Sequence, residues 1–314
     1  MKKIKINTKQ INFNPIYHQL KELNLIKKSR LIVINNKTRD KKIRVFKDLK
    51  TKIIFLEKFI TNNYYSSPKK KLHDKKLLDK IIKKKMNKKN AYNHVQTLII
   101  EDDIRRASQF KKILKNKEIL DFGCGWGGFL SILKDYKSLY GLEQRKECVK
   151  YIQSKYKKIS MSDNINSLNK KFDIITAFHV LEHVPYQLDT LKILHSKLKN
   201  KGKIIIEVPH AEDFLILQDE LKEFKNFIFW SQHLILHTHN SLKTMLSNSG
   251  FKNIKIEFYQ RHNFANHFGW FLNKKPGGHN VYKNLFSEKI NKYYCENLKQ
   301  LNQSDTLIAI AEKS

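Results

Sequence analysis

The 314-residue sequence predicts an α/β fold: a doubly wound, mostly parallel sheet with helices on both faces, preceded by a small β-containing N-terminal region. Three observations predict it. From about residue 95, short apolar runs alternate with amphipathic stretches, the pattern of strands covered on both faces. A turn that spends four of the chain's ten glycines in six positions, "GCGWGG" at 123–128, separates the first of these strands from its helix. Ahead of them lie "RLIVI", "KIRVF" and "KIIFL", near residues 31–56, short and β-branched with polar breaks.

Residues 1–94 read as that small sheet followed by a basic helix or linker. "KKKLHDKKLLDKIIKKKMNKKN" belongs to a stretch with eleven lysines between Lys69 and Lys89, and Leu72, Leu77, Leu78, Ile81, Ile82 and Met86 could form one helical stripe. Residues 95–314 read as the main domain. "EILDF" is its first strand, with a helix from about Gly128; "SLYGL" is its second, with a helix through "RKECVKYIQSKY". "KKISM" and "FDIITAF" are the next two strands, and a helix through "QLDTLKILHSKL" leads to "GKIIIEV". "SLKTMLSNSG" is a helix ending at a glycine cap, Gly250, and "NIKIEFYQ" and "TLIAIAEK" are the last two strands.

Hydrophobic content of 40% and aromatic content of 11% indicate a globular chain. There is no apolar run of about 18 residues, and the N-terminal stretch lacks a continuous apolar segment, so the cytoplasm is the default location. Cys124, Cys148 and Cys295 show no paired spacing, which supports neither a disulfide framework nor a zinc site. Of the net charge of +33, residues 1–100 carry +22. Such a field attracts nucleic acid, an anionic membrane surface or an acidic glycan. The plainer reading is composition bias, because Lys, Asn and Ile are abundant throughout and lysines then coat a solvated face.

The glycine turn sits where a parallel sheet presents the carboxyl ends of its strands, so glycines there admit a ligand to the backbone beside a helix N-terminus. Gly123, Gly125 and Gly128 also satisfy G-x-G-x-x-G, which leaves a dinucleotide open. Glu143 follows the second strand, twenty residues after Gly123, the place from which a carboxylate accepts hydrogen bonds from ribose hydroxyls. Asp121 precedes the first glycine and gives D-x-G-x-G-x-G. A carboxylate there can orient the loop and meet a cationic ligand; a sulfonium bearing an amino group uses it, whereas a nicotinamide does not.

With these pieces in order, the sequence resembles the class I S-adenosylmethionine-dependent methyltransferases. The resemblance rests on "ILDFGCGWGGFL", "YGLEQRKECVKYI", "KFDIITAFHVLEHV" and "LKNKGKIIIEVPH", which cover about residues 117–210. It implies a seven-stranded Rossmann-like methyltransferase sheet and S-adenosyl-L-methionine as cofactor. It implies that the backbone around Gly123, Cys124 and Gly125 holds the methionyl part and that Glu143 holds the ribose. The segment Ser162, Asp163 and Asn164 would edge the adenine, and Phe178 with His179 would line the cofactor near its sulfonium. Outside the core, "WSQHLILHTHNSLKTMLSNSGF" with "QRHNFANHFGWFLNKKPGGH", and "IRVFKDLKTKIIFLEKFITNNYY", resemble bacterial methyltransferases of small molecules, particularly sugars of surface polysaccharides. Insertions at about 210–240 and 261–303 would then bind the acceptor, a sugar or glycan precursor. Many such relatives carry zinc-binding cysteine pairs in the N-terminal segment; none stand here, so no metal is expected there.

Methyl transfer from a sulfonium is an in-line displacement, so the protein must align the acceptor and, for a hydroxyl, remove its proton. Ten of the thirteen histidines lie at or beyond His179. His183, following the fourth strand of the domain in "HVLEHV", is the leading candidate base, with His210 in "EVPH" and His233 in "SQHLILH" as rivals. Glu182 could orient His183. The H-x-x-E-H spacing at 179, 182 and 183 also invites a metal reading. Ubiquinone-biosynthesis O-methyltransferases resemble this loop with a carboxylate in place of His179, and there the cluster can bind a divalent cation. Imidazole at that position weakens the case for magnesium, and no metal is expected. Trp126, Phe229, Trp230, Tyr259, Trp270 and Phe271 could wall an acceptor, and Arg261 could pair with an acidic or phosphorylated one. A nucleic-acid methyltransferase drawn by the basic N-terminal region is the second reading, but the loop after "FDIITAF" lacks the [N/D]-P-P-[Y/F] motif that grips a flipped base. A noncatalytic binding module is the third, disfavoured by the intact Asp121, glycine turn and Glu143.

Overall fold

The computed structural model describes residues 14–60 and 101–314, so the lysine-rich segment and the expected boundary at residue 94 lie outside the described residues. The chain divides into two compact units. Of the described residues, one comprises 14–60, Phe178–Ser196 and Lys203–Ser314; the other comprises 101–177 and Lys197–Gly202.

The ten expected strands form. β1 (Leu31–Asn35), β2 (Val45–Asp48) and β3 (Ile54–Leu56) make an antiparallel meander. Asp48, fully buried, closes the β2–β3 turn by accepting the Lys50 and Thr51 N–H groups, each at 2.9 Å, while its other oxygen takes Arg30 Nε at 2.9 Å. The larger sheet contains β4 (Glu118–Phe122), β5 (Ser138–Leu142), β6 (Ile159–Ser162), β7 (Phe172–Phe178), β8 (Leu198–Pro209), β10 (Lys252–Tyr259) and β11 (Thr306–Glu312). Its order is β10-β11-β8-β7-β4-β5-β6. β4 pairs in parallel with β5 and β7, β5 with β6, and β11 runs antiparallel to both β8 and β10. This is the mostly parallel seven-stranded sheet expected.

One strand was not foreseen. β9 (Ile235–Leu236), in the middle of "SQHLILH", extends the small sheet by pairing antiparallel with β3. The apolar run Leu234–Leu236 therefore adds an edge to the N-terminal meander, and the residues just before it are held against that meander. The following helix, His239–Asn248, opens on a capping box in which Thr238 and Ser241 satisfy each other's N–H groups, and it ends before Gly250, whose φ of +95° suits glycine. Among the described residues no helix is long and apolar enough to cross a membrane.

The parallel strands pack tightly where β5 passes β4 and β6. A Cβ added at Gly141 would stand 2.6 Å from Met161 Sδ and 2.8 Å from Cys124 Sγ. Glycine is kept there for close approach. Gly141→Ala should lose roughly 1–3 kcal/mol through overpacking, measured by urea unfolding, and an unchanged midpoint would contradict this packing.

Candidate functional site

The glycine turn begins at the end of β4. Gly123, Gly125 and Gly127 have φ of 76°, 56° and 77°, which an L side chain adopts only with strain. The carbonyl of Leu142, the last residue of β5, accepts the N–H groups of Gly123 at 2.8 Å and Cys124 at 3.1 Å. Gly125 N–H then donates to Glu143 Oε2 at 3.0 Å. The sequence expectation for Glu143 was a ribose; in the structure its carboxylate organises the turn.

Glu143 is nearly saturated. Its Oε1 accepts the Arg145 N–H at 3.0 Å and Nε at 3.1 Å, while Oε2 accepts Arg145 Nη2 at 3.3 Å besides Gly125. Four donors fill the roughly four lone-pair sites of a carboxylate. The Arg145 side chain is 26% exposed. Sequence reasoning missed Arg145, although "LEQR" set it two residues beyond the acid.

Asp121 is buried and accepts Thr176 Oγ1 at 2.7 Å, which ties β4 to β7 where the two strands are in register. Burial pushes its carboxyl up to about 7, against the Thr176 hydrogen bond and the nearby Arg106 charge. Cys124 is buried too, and burial raises its thiol, so the position contributes its backbone rather than a reactive sulfur. Asp163 lies exposed just past β6; beside it the Ser162 carbonyl accepts the Glu143 N–H at 3.0 Å. Asp121, Gly123, Cys124, Gly125, Glu143 and Asp163 thus share one edge of parallel strands.

Phe178 ends β7, and His179 follows it in the left-handed region, φ 53°. His179 is locked there. Its N–H donates to the Glu207 carbonyl at 2.8 Å, Nε2 lies 3.1 Å from Glu207 Oε1, and Nδ1 lies 3.3 Å from Glu182 Oε1. Both carboxylates are fully buried. Burial lowers the His179 imidazole, but the two acids override it and hold it above its ordinary value. For Glu182, burial works upward and the surrounding imidazoles prevail, keeping the carboxyl at about 2. With both nitrogens engaged, His179 clamps the loop to the two acids.

The other two histidines of this cluster differ from each other. His183 Nδ1 donates to the Gln232 carbonyl at 2.9 Å, which fixes its tautomer and leaves Nε2 as the acceptor nitrogen, 3.9 Å from Glu182 Oε1. His233 packs with its ring centroid 5.0 Å from that of His183, and burial pushes it down to about 3. Trp230 meets both rings edge-on, at 5.9 Å and 5.4 Å. His210 is placed elsewhere. It is 1% exposed, its Nδ1 donates to the Ser304 carbonyl at 2.9 Å, its ring packs on Phe258, and burial lowers it to about 4. The His210 ring, expected as a rival base, lies in the core, in surroundings unlike those of His183.

Glu182, His183 and His233 each offer a ligand atom, all within 4.8 Å of one another. Two imidazoles and one carboxylate form a borderline donor set, unlike the all-oxygen shell that magnesium takes. Of the aromatics expected around an acceptor, Trp230 meets the histidines, whereas Phe229 and Trp270 are core residues. The backbone N–H of Arg261 donates to Asp305 Oδ1 at 3.0 Å, beside the Asp305–His262 pair.

A family model described as a methyltransferase domain matches residues 92–256, just over half of the chain. An uncharacterized protein of Methanocaldococcus jannaschii is 36% identical over 141 residues, covering 43% of this chain and 59% of that one. A ubiquinone biosynthesis O-methyltransferase of Pseudomonas syringae pv. tomato is 26% identical over 142 residues, covering 37% of this chain and 60% of that one. The chain thus matches about three fifths of the length of these curated relatives. Among solved structures, a possible histamine N-methyltransferase of Thermotoga maritima is 16% identical with a TM-score of 0.47, covering 72% of this chain and 95% of that one. Magnesium protoporphyrin IX methyltransferase of Synechocystis PCC 6803 is 13% identical with a TM-score of 0.48, covering 80% and 97%. The matched family model spans the glycine turn, Glu143 and the His179–Glu182–His183 loop, and the chain belongs to the methyltransferase domain family.

Proposed function

We propose that the protein transfers a methyl group from S-adenosyl-L-methionine to a hydroxyl of a small-molecule acceptor, a sugar or glycan precursor. The observation that carries the reading is the Gly125–Glu143 hydrogen bond, which sets a buried carboxylate against a turn of positive-φ glycines. The cofactor would supply an activated methyl on a sulfonium. Asp121 and the turn backbone would hold its amino-acid tail, Glu143 its ribose, and the turn after β6 its adenine edge.

The acceptor's proton would go to His183 Nε2. Gln232 orients this imidazole through Nδ1, and Glu182, held ionised, stabilises the charge it gains. His233, pushed down to about 3, stays neutral beside it. Glu182 already carries the His179 contact, so we assign the cluster to proton transfer rather than to a metal. Turnover should therefore survive exhaustive chelation; loss on chelation with recovery on zinc would reverse this assignment.

Calorimetry with S-adenosylmethionine tests the cofactor site. Glu143→Ala should weaken binding by roughly tenfold or more, whereas Arg145→Ala, which removes the competing donors, should bind at least as tightly as the native chain. Binding unaffected by Glu143→Ala would sink the assignment. His183→Ala should bind cofactor normally and lose about 10²–10⁴ in turnover on an accepted sugar. Full turnover would exclude it as the base.

Asp121 adds a pH dependence. Its folded value of about 7 lies above the ordinary carboxylate range, so its stabilising effect is intact below about pH 4 and is lost as pH rises through about 7. Asp121→Asn should flatten the decline in melting temperature across that window. An unchanged decline would mean that the carboxyl is not held protonated.

A further inference from the structure

Between β10 and β11 the chain forms three helices, Phe264–Asn273, Gly278–Val281 and Glu288–Gln300, which pack around rings of their own. The Phe264 ring centroid lies 4.5 Å from that of Phe286 and 4.6 Å from that of Tyr294, and Phe268 lies 5.2 Å from Tyr282 and 5.3 Å from Phe286. The first two helices meet backbone to backbone: a Cβ added at Gly269 would stand 2.5 Å from Gly278 Cα. Asn291 Oδ1 accepts the Phe264 N–H at 3.2 Å, and the Tyr294 hydroxyl lies 2.8 Å from His267 Nδ1, so that side of the third helix faces inward. The inner side of this cluster is closely packed.

Its outer side is apolar where a solvated face would be polar. Among the described residues, seven of the eleven exposed large apolar side chains lie between Phe271 and Leu301, so they are concentrated on this one cluster. Val281 is 67% and Leu285 62% exposed, and between them in the chain stands Tyr282, whose ring faces Phe268. Ile290 and Tyr293, both exposed, stand on either side of the inward Asn291. Lysines are set among these side chains. Residues 271–301 hold six, all exposed, against Glu288 and Glu296, a net charge of +4. Lys289 Nζ lies 6.0 Å from the Tyr293 ring centroid, which puts charge and apolar surface side by side.

We propose that this outer face docks on a bilayer surface of anionic lipid. Anionic headgroups attract the ammonium groups, the lysine stems lie along apolar surface, and Val281, Leu285 and Ile290 enter the boundary beneath the headgroups. A second copy of the chain fits this face badly, because it would set +4 against +4. A protein partner fits it less well than lipid, since protein interfaces are enriched in Arg and depleted in Lys, and residues 271–301 hold six lysines and no arginine. The surface goes beyond the methyl-transfer reading and does not rest on it.

The test sediments the full chain with vesicles of phosphatidylglycerol and phosphatidylcholine in equal parts, without S-adenosylmethionine. A chain of net charge +33 is drawn to such vesicles wherever its lysines lie, so the deciding variant leaves the charge unchanged. Val281→Ser combined with Leu285→Ser should weaken vesicle binding about tenfold or more, whereas Leu49→Ser, which alters an exposed leucine of the β2–β3 turn, should not change it. Lys289→Gln combined with Lys292→Gln should weaken it as well, and vesicles of phosphatidylcholine alone should bind the native chain less. The double serine variant binding as tightly as the native chain, Leu49→Ser losing as much, or no binding by the native chain would each overturn the surface. Two further outcomes would reassign it. A native dimer in sedimentation velocity that the double serine variant dissolves would give the face to a second copy; polyglutamate binding lost in that variant, with vesicle binding intact, would give it to an acidic polypeptide. Melting temperatures of the variants establish that they fold.

Discussion

The Leu142 carbonyl accepts two N–H groups from the glycine turn, and the geometry of that turn follows from the pair of hydrogen bonds. It joins the residue that ends β5 to the first two residues beyond β4, so the turn starts at a fixed height above the sheet. Glu143, the next residue along, is thereby brought under Gly125, whose N–H it accepts. Backbone N–H groups that leave a strand must find partners, and here they find them on the neighbouring strand and its acid rather than in a regular ladder. The cost is three residues at positive φ, which glycine alone meets without strain. The same closeness explains Gly141, where Cys124 and Met161 leave no room for a methyl group.

At the end of β7 the constraint is of a different kind. His179 is not glycine, and its φ of 53° stores strain that its surroundings must offset. The Glu207 carbonyl holds its backbone, and two fully buried carboxylates hold its ring. Removing one member of such a set strands a buried charge, so the His179 conformation and the Glu182 position stabilise each other. That is how the loop presents His183 in one orientation although it is only a single short turn, Leu181–His183.

The parallel sheet was legible because alternation of apolar runs and helical stretches is a local signal, and the strands "EILDF", "SLYGL" and "FDIITAF" appear where the pattern put them. Glu143 was legible from its distance to Gly123. β9 was not, since two residues of strand inside "SQHLILH" have no periodicity to detect. The differing environments of His183 and His210 were not legible either. Both follow strands of the same sheet, yet burial decides between them, and burial comes from segments far away in sequence: Ser304 and Phe258 cover His210, while Gln232 and Trp230 flank His183.

The charges around His183 bear on what it can do. Glu182 and Glu207 are fully buried beside His179, and the surrounding imidazoles hold the Glu182 carboxyl well down, so water screens its charge little. A proton arriving at His183 Nε2 brings positive charge to within 3.9 Å of Glu182, so the field there is set before any reaction and needs no rearrangement.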